Sequence, residues 1–331
     1  MSPHEMAVGP QDAGADLLSF LSARFILESK TRLRRLVAAG GVSVNGQAAR
    51  GTRTLASGDV VEVPEDVPAG PPPPASVEIG VLHEDSRHLV VNKPAGLPVI
   101  PARGGAGREF YDSLAARLNA EAPEAGPYVR PHVVHRLDRE TSGVLLVAKD
   151  QEAGRELAGQ FQHRTVTKRY LAIVEGALPR AELTVEVPMR RSPSSVLKMA
   201  ADERSGKPAR TGVRLREAFG HFSLLDVQLF TGRQHQIRFH MAAIGYPLVV
   251  DTLYGRRDVL TGAEFNRIVG RAVAGCCAPP AGTVLLARTP LHALSISYRP
   301  PDASEPVECC APVPADMEAF LNTLRRLDPV G

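Results

Sequence analysis

A run of four prolines, residues 71–74, constrains the fold of this chain more strongly than any other feature of its sequence. Proline fixes φ and lacks a backbone N–H, so consecutive prolines form neither a helix nor an interior strand and favour an extended spacer. We place the linker that contains the run at residues 64–76. It separates a small N-terminal unit from a body of about 250 residues, which is enough for one extensive core. The sequence therefore predicts a disordered leader over residues 1–15 and two domains over residues 16–63 and 77–331.

The composition is typical of a soluble globular protein. Hydrophobic residues make up 44% of the chain and charged residues 23%, both ordinary values. No apolar run approaches the ~18–20 residues that a membrane-spanning helix needs. The leader has no cationic start followed by an apolar stretch, so it is not a secretory signal. We therefore expect a cytoplasmic protein without a membrane partner, and a monomer by default.

Four cysteines occur as two adjacent pairs, Cys276-Cys277 and Cys309-Cys310. Structural zinc sites usually have two or more residues between neighbouring ligands, so adjacent cysteines fit such a site poorly. Buried free thiols in a reducing compartment are the simpler interpretation. No metal is predicted from these residues.

Basic residues are concentrated in two stretches, although the net charge is only +3. Residues 16–63 contain seven Lys or Arg and four acidic residues, and residues 190–216 contain eight Lys or Arg and two acidic residues. Surfaces of this kind suit the phosphate backbone of a nucleic acid. For either stretch considered alone, a solvated loop explains the charge equally well.

The N-terminal domain has the pattern of two short helices followed by a small sheet. Apolar residues at helical spacing indicate the helices, and Ser29 can cap the second one. These apolar positions are Leu17, Leu18, Leu21 and Phe25, then Leu33, Leu36 and Val37. Gly40-Gly41 ends the second helix, and Asn45-Gly46 is a hairpin signal.

This order of elements, with Gly-Val-Ser-Val-Asn-Gly at residues 41–46 and Gly-Asp-Val-Val-Glu-Val at residues 58–63, resembles the S-four-like RNA-binding domain of ribosomal and RNA-modifying proteins. In that family the basic second helix and the following loop lie on RNA. The resemblance implies that Lys30, Arg34 and Arg35 contact RNA here.

The body is predicted to contain many strands and a few helices. Strands are expected over residues 78–83, 88–92, 143–148, 170–175, 223–230 and 291–298, and helices over residues 111–119 and 152–161. Because helices and strands do not alternate steadily, the pattern indicates an α+β domain rather than a doubly wound sheet.

Residues 134–143 (Val-His-Arg-Leu-Asp-Arg-Glu-Thr-Ser-Gly) form a polar loop that leads directly into an apolar strand. Loops held by a rigid strand are frequent places for catalytic groups. Asp138 lies between Arg136 and Arg139, and nearby cations favour a carboxylate, which can act as a nucleophile or a general base. Taken alone, however, the segment fits a structural ion pair at the start of a strand better than a catalytic site.

Two enzyme classes are excluded by missing motifs. A protein-kinase catalytic loop needs His-Arg-Asp-Leu, a glycine-rich loop and Asp-Phe-Gly, whereas this chain has His-Arg-Leu-Asp at residues 135–138. A zinc-dependent base deaminase needs His-x-Glu and Cys-x-x-Cys, and the chain has neither.

Two further segments are rich in hydrogen-bond donors. Residues 161–170 form a basic turn that leads into a strand at Tyr170, which alone would be an ordinary half-buried aromatic residue. Residues 231–240 carry several donors and an apolar side chain, namely Arg233, His235, Ile237, Arg238 and His240. Residues five apart do not share one helical face, so His235 and His240 are not expected to bind zinc.

Taken together, these segments resemble the RluA-type pseudouridine synthases over about residues 79–300. The matching pieces are residues 91–97, the stretch around Asp138, residues 168–170, residues 231–255 and residues 289–293. An S-four-like domain ahead of such a body is the arrangement of family members that modify large-subunit ribosomal RNA. The resemblance implies a pseudouridine synthase fold with a central mixed, largely antiparallel sheet. The departures from the family pattern, at Ile100, Gln234 and residues 250–252, remove no catalytic group.

The resemblance also implies catalytic roles. Asp138 matches the essential aspartate, which either attacks the target nucleoside or abstracts a sugar proton. Tyr170 matches the tyrosine that packs on the uracil, and Arg238 matches the arginine that pairs with the catalytic carboxylate.

Three more matches concern substrate binding. Arg136 corresponds to the arginine that displaces the target base from its helix. Arg233 is expected to support a substrate phosphate, and Ile237 is expected to form an apolar wall.

The implied function is isomerisation of specific uridines to pseudouridine in structured RNA, foremost large-subunit (23S) ribosomal RNA or a precursor ribosomal particle. This reaction needs no redox equivalent, metal or nucleotide, so no cofactor is expected. Two alternatives stay open, namely a transfer-RNA substrate and a non-catalytic RNA-binding factor of ribosome assembly. Pure RNA binding does not require Asp138, Tyr170 and Arg238 together, which argues against the second alternative.

Overall fold

A computed structural model describes residues 3–26, 28, 30–49, 53–67, 72–102, 106–121, 128–270 and 278–327. The chain divides into two compact units, which we describe separately. The first comprises residues 1–79 and 101–132, and the second comprises residues 80–100 and 133–331. Within the described ranges, no helix has the length and apolar character needed to cross a membrane.

The secondary structure is as follows in chain order: β1 (His4–Ala7), a 3-10 helix (Pro10–Asp12), α1 (Leu17–Arg24), α2 (Lys30–Ala38), β2 (Ser43–Val44), β3 (Gln47–Ala48), β4 (Val60–Val63), β5 (Gly80–Glu84), β6 (His88–Lys93), α3 (Glu109–Leu118), β7 (His132–Val133), β8 (Ser142–Ala148), α4 (Gln151–His163), β9 (Thr167–Glu175), β10 (Glu182–Glu186), β11 (Met189–Arg191), β12 (Met199–Ala201), β13 (Arg210–Phe219), β14 (Phe222–Leu229), α5 (Gln236–Ala243), β15 (Leu260–Thr261), α6 (Gly262–Val269), β16 (Val284–Leu286), β17 (Leu291–Tyr298), β18 (Val307–Cys310) and α7 (Ala315–Leu327).

The first unit contains the two helices and the small sheet that the sequence predicts. Asp16 caps α1 by accepting a hydrogen bond from the backbone N–H of Ser19 at 3.0 Å. In α2, Leu33 and Val37 are buried on one face, in keeping with the predicted apolar stripe. Asn45 and Gly46 have φ values of 54° and 73°, as the tight hairpin turn between β2 and β3 requires. Ser29, the predicted cap of the second helix, lies outside the described residues.

The predicted disordered leader requires a correction. Residues 4–7 form β1, which pairs with β4 in antiparallel register, and the sheet order is β1-β4-β2-β3. Val8 is buried in the core of this unit, and Asp12 forms an ion pair with Arg24 at 2.6 Å. A four-residue edge strand is too short for its alternation to be recognised in the sequence, since its stability comes from the partner strand.

The predicted domain boundaries also differ from the structure. Residues 101–132 belong to the first unit rather than to the body. Ala115 of α3 and Tyr128 pack on Ile26, and the N–H of Tyr128 donates to the carbonyl of Ala23 at 3.0 Å. The ends of the predicted linker are held as well, because Val67 is buried in the same unit. Such contacts join segments about 100 residues apart, which local sequence patterns do not encode.

The second unit is built on one large sheet, with the strand order β10-β13-β14-β9-β17-β8-β6-β5 and with β18 beside β17. Strands β8 and β17 pair in parallel, and the other pairs along this path are antiparallel. The mixed, largely antiparallel sheet confirms the predicted α+β class. The strands expected in the body are all present within a few residues. The elements that were not predicted are β7, β10 to β13, α5, β15, α6, β16, β18 and α7.

Apolar clusters attach the helices of the second unit to this sheet. Leu171 and Ile173 of β9 pack in one cluster with Phe265 of α6 and Phe320 of α7. Val144 and Leu146 of β8 pack in another cluster with α4. All seven residues of β8 are buried. The loop before β8 is therefore attached to a rigid interior strand of the sheet.

Gly143 is essential for the parallel contact between β8 and β17. Its φ is +110°, and a Cβ atom there would lie 2.2 Å from the carbonyl oxygen of Ala293. Only glycine combines this backbone conformation with so close an approach. Gly143 follows Asp138 by five residues, so the contact also determines where the polar loop ends.

We expect Gly143→Ala to lower the free energy of unfolding by about 2–4 kcal/mol, because β17 must move away or the backbone must strain. Gly159→Ala in α4 is the matched control. A Cβ at Gly159 meets nothing within 4 Å, and the change should raise helix stability by about 0.5–1 kcal/mol. Urea denaturation of both variants checks this, and equal effects of the two substitutions would contradict it.

Candidate active site

An open cleft of about 1530 Å³ lies in the second unit. Its walls come from the loop before β8, from β9, and from the segment that leads into α5. Five of the residues predicted from the sequence line it, namely Arg136, Asp138, Tyr170, Arg233 and Ile237. Arg238 is buried behind this wall and contacts the cleft through Asp138.

The polar loop is attached to β8 through His135. Nε2 of His135 accepts a hydrogen bond from the backbone N–H of Leu146 at 2.9 Å, and its ring stacks on Phe161 with centroids 4.7 Å apart. Burial lowers the pKa of His135 to about 3. The imidazole is therefore neutral at pH 7, as an acceptor nitrogen must be.

Lys93 holds the same loop from its other side. This side chain is fully buried at the end of β6, where Lys93 pairs with Gly143. Its Nζ donates to the carbonyls of Pro94 and Leu97, each at 2.7 Å, and to that of Arg139 at 3.2 Å. Burial lowers the pKa of Lys93 to about 7. The lysine therefore connects two loops through their backbone oxygens. One of these oxygens belongs to Arg139, the residue after Asp138.

Arg238 forms a bidentate ion pair with Asp251. Its Nε and Nη2 each lie 2.7 Å from a different oxygen of that carboxylate. Asp251 is 1% exposed, and one of its oxygens also accepts the backbone N–H groups of Leu253 and Tyr254 at 2.9 and 3.0 Å. Burial alone would raise the pKa of Asp251, but Arg238 and these N–H groups hold it below its usual value.

The third nitrogen of the same guanidinium faces the cleft. Nη1 of Arg238 lies 3.5 Å from Oδ2 of Asp138. Burial would lower the pKa of Arg238, but Asp251 and Asp138 raise it above its usual value. A permanently charged group thus contacts the one aspartate among the residues that line the cleft. This arrangement can orient a carboxylate and stabilise its negative charge.

The start of α5 is set by a left-handed residue and a buried glutamine. His235, at the N-cap, has a φ of 54°, which turns the chain sharply into the helix. The side-chain oxygen of Gln236 accepts from the hydroxyl of Thr231 at 2.8 Å and from the backbone N–H of Arg233 at 3.0 Å. Its amide nitrogen donates to the carbonyl of Arg210 at 3.0 Å. These bonds hold the segment before α5 against β13.

Tyr170 forms part of the apolar wall of the cleft. It lies in β9 between partners on both sides, Val227 of β14 and Ala293 of β17, and it is 7% exposed. Burial and, to a smaller extent, the charge of Asp138 raise the pKa of Tyr170. The side chain therefore stays a neutral phenol that can pack against a planar ring. Ile237, which is also buried, extends this apolar surface.

The cleft is basic overall. Three acidic residues line it, namely Asp138, Glu186 and Glu203. Six cationic residues line it, namely Arg136, Arg139, Arg164, Lys168, Arg210 and Arg233. Arg136 is exposed, so its guanidinium can reach a bound molecule. A surface of this charge and size favours an extended polyanion over a small neutral ligand.

The remaining predicted residues do not line the cleft. Lys30, Arg34 and Arg35 lie on α2 in the first unit, where Arg34 and Arg35 are exposed. Both ring nitrogens of His240 are occupied, by the hydroxyl of Thr211 at 2.8 Å and the carbonyl of Val187 at 3.1 Å. Its role is therefore to support α5. Cys310 is exposed and Cys309 half-buried, and the other cysteine pair lies outside the described residues.

Sequence reasoning missed three residues that organise this site. Asp251 was noted only as part of a departure from a family pattern, and Lys93 only as part of a matching segment. Gln236 stands beside Arg238 but was assigned no task. A signal existed for Asp251, since a buried arginine such as Arg238 requires a nearby carboxylate. Asp251 lies thirteen residues after Arg238 along the chain, so local sequence patterns do not indicate that the two residues pair.

Comparisons with known proteins agree with this geometry. A family model described as RNA pseudouridylate synthase matches residues 87–243. The chain is 35% identical to "Ribosomal large subunit pseudouridine synthase D" of Xanthomonas campestris, with 96% of this chain and 92% of that protein covered. It is 36% identical to an uncharacterised RNA pseudouridine synthase, YlyB, of Bacillus subtilis, with 90% of each chain covered.

A likeness in fold extends to more distant proteins. The solved structure of human RNA Pseudouridylate Synthase Domain Containing 4 matches with a TM-score of 0.56 and 23% identity, covering 74% of this chain and 93% of that one. At this level of identity the match concerns the fold alone.

We expect Asp251→Ala to lower the free energy of unfolding by about 3 kcal/mol or more, because it leaves a buried guanidinium without its main partner. Glu182→Ala is the matched control. It breaks the ion pair of Glu182 with Arg214, whose side chains are 70% and 69% exposed, and should cost less than about 1 kcal/mol. Urea denaturation measures both changes. A cost for Asp251→Ala as small as that of the control would contradict the role given to this pair.

Proposed function

Because the chain belongs to the family of RNA pseudouridine synthases, we propose that its substrate is large-subunit ribosomal RNA and that Asp138 is the catalytic carboxylate. The enzyme isomerises uridine to pseudouridine. The ribosomal substrate is supported by the names of relatives that match over nearly their whole length, including the synthase of Xanthomonas campestris. It is also supported by the six cationic residues that line the cleft, since a folded RNA presents many phosphates.

The observation that carries the catalytic assignment is the 3.5 Å contact between Asp138 and the buried guanidinium of Arg238. Arg238 holds Asp138 from the buried side of the wall, and Asp138 itself lines the cleft. Attack on the nucleoside and removal of a sugar proton both need the ionised form of Asp138. Arg238 orients that carboxylate in either reaction.

The reaction breaks the glycosidic bond between N1 of the uracil and the sugar, turns the base, and joins carbon 5 to the sugar. Carbon 5 then loses its proton and N1 gains one, so the product is an isomer of the substrate. The base must first leave its stack, which costs a few kcal/mol. In our proposal Tyr170 packs on the released uracil and Ile237 extends the apolar wall, which offsets part of that cost. Arg136, exposed beside Asp138, occupies the space that the base leaves.

Two further groups are proposed to bind the RNA backbone. Arg233 lies in the cleft wall, where its Nε donates to the carbonyl of Pro208 at 3.2 Å, and its remaining donors can meet a phosphate. In the first unit, Lys30, Arg34 and Arg35 make α2 strongly basic. Together with the small sheet after it, this helix supports the proposal of an S-four-like RNA-binding domain.

We expect Asp138→Asn to reduce pseudouridine formation at least about a hundredfold, because the amide is neither a nucleophile nor a base. Glu140→Gln is the matched control, since it removes a carboxylate from the same loop. RNA from a deletion strain complemented with each variant would be mapped by carbodiimide-induced stops of reverse transcription. Restoration of every site by Asp138→Asn would overturn the catalytic assignment.

The same maps separate the candidate substrates. Sites in large-subunit ribosomal RNA that disappear in the deletion strain and return with the wild-type chain support the proposal. Dependent sites confined to transfer RNA would replace the substrate but leave the assignment of Asp138 intact. If no site in either RNA depends on the chain, the alternative of a non-catalytic assembly factor is favoured.

The basic helix is tested by the salt dependence of RNA binding. We expect simultaneous reversal of Lys30, Arg34 and Arg35 to Glu to weaken binding and to reduce the slope of log affinity against log salt by about 2–3, since each phosphate contact contributes about 0.7–0.9. A control variant with Arg155, Arg256 and Arg267 changed to Glu has the same change in net charge at exposed positions outside the cleft. Equal slopes for the two variants would show that α2 does not lie on RNA.

A further inference from the structure

A cluster of two histidines and one aspartate lies outside the cleft, at the hairpin between β5 and β6. His83 belongs to β5, Asp85 lies in the turn and His88 is the first residue of β6. One nitrogen of each imidazole and one carboxylate oxygen all lie within 4.8 Å of one another. Nothing in the proposed reaction uses these residues, although His-x-Asp-x-x-His is a donor set of the kind that binds transition metals.

His88 is the central residue of this cluster, and it is fully buried. Its Nε2 lies 2.5 Å from the hydroxyl of Tyr298. Its Nδ1 lies 2.9 Å from Oδ2 of Asp85, and among the described residues no other group pairs with this nitrogen. A buried imidazole nitrogen this close to a carboxylate oxygen shares either a proton or a metal ion with it.

Asp85 presents one oxygen to both histidines. Its Oδ1 accepts the backbone N–H groups of Arg87 and His88, each at 2.7 Å. Oδ2 is thereby directed between the two rings, 2.9 Å from Nδ1 of His88 and 3.9 Å from Nε2 of His83. The turn itself therefore fixes the carboxylate and aims its second oxygen at the space between the imidazoles.

We propose that His83, Asp85 and His88 bind a divalent transition-metal ion, with Zn²⁺ as the foremost candidate. The ligand atoms are Nε2 of His83, Oδ2 of Asp85 and Nδ1 of His88. Bonds of about 2.0–2.1 Å in tetrahedral geometry put neighbouring ligand atoms about 3.3 Å apart. The two carboxylate–imidazole separations, 2.9 and 3.9 Å, lie on either side of that value, and all three ligand atoms lie within 4.8 Å of one another. A water molecule would supply the fourth ligand.

The contact with Tyr298 fits a metal-bound histidine. When Nδ1 binds the ion, Nε2 carries the proton and donates it to the tyrosine hydroxyl, which fixes the tautomer and the plane of the ring.

Nearby cations are already paired with acids and do not compete for Asp85. Lys149 binds Glu84 at 2.7 Å. Arg87 binds Asp150 at 2.8 Å and Asp302 at 2.6 Å. The carboxylate of Asp85 is therefore left to the two histidines and to a cation between them.

The bound ion would clip β5 to β6 at the edge of the large sheet. Because β6 ends at Lys93, which holds the loop of Asp138, stability gained at this hairpin supports the cleft without entering its chemistry. The sequence-based expectation of no metal considered the cysteine pairs and His235 with His240. It did not consider this cluster, whose members are joined by the hairpin turn.

The test titrates Zn²⁺ into the full chain, freed of metal with a chelator, by isothermal calorimetry. We expect one saturable site, a binding constant at least tenfold weaker in Asp85→Asn and in His83→Asn, and none in the double variant. His221→Asn changes an exposed histidine outside the cluster and should bind as the wild type does. His88 is left unchanged because replacing this buried side chain would leave the hydroxyl of Tyr298 without a partner and destabilise the fold.

Two further measurements sharpen the result. Zn²⁺ should raise the melting temperature of the wild type and of His221→Asn but not of the double variant, since an ion that binds only the folded state stabilises it. Co²⁺ should give visible absorption without a thiolate charge-transfer band. Unchanged affinity in the double variant, a thiolate band, or the absence of saturable binding would each overturn the proposal.

Discussion

The guanidinium of Arg238 contacts two carboxylates from distant parts of the chain. Asp251 follows it by thirteen residues and holds two of its nitrogens, while Asp138 precedes it by one hundred residues and faces the third. Burying an arginine is costly unless its charge is paired and its donors are satisfied. The buried charge keeps both partners only when three segments lie at the right distances from one another. These segments are α5, the turn that contains Asp251 and the loop before β8.

Because of this constraint, several residues around the site hold the backbone of these segments in place. Gln236 binds the segment before α5, Lys93 binds the carbonyls of two loops, and His135 ties the loop of Asp138 to β8. Gly143 permits β17 to approach β8 directly behind that loop. The side chains of Gln236, Lys93 and His135 all bind main-chain atoms, which move less than side chains do. A carboxylate supported in this way needs little reorganisation when it meets a substrate.

Cations of the second unit differ in their burial and in their partners. Arg136 and Arg139 of the cleft wall are exposed, where a phosphate could meet them, whereas Arg238 is buried and faces two carboxylates. Tyr170 and Ile237 supply the apolar surface between them, so a base and a backbone can be recognised in one cleft by different kinds of contact.

Local patterns in the sequence determined much of this protein. Periodicity and turn signals located β6, β8, β9, β14 and β17, because side-chain alternation and glycine conformations act over a few residues. Motifs that resemble a known family brought Asp138, Tyr170 and Arg238 into one proposal. Only the tertiary structure revealed β1 in the supposed leader, residues 101–132 in the first unit, Asp251 as the partner of Arg238, and the cluster of His83, Asp85 and His88. These features depend on which segments meet in space and on how a turn aims its side chains, and neither the spacing of residues nor their composition specifies that.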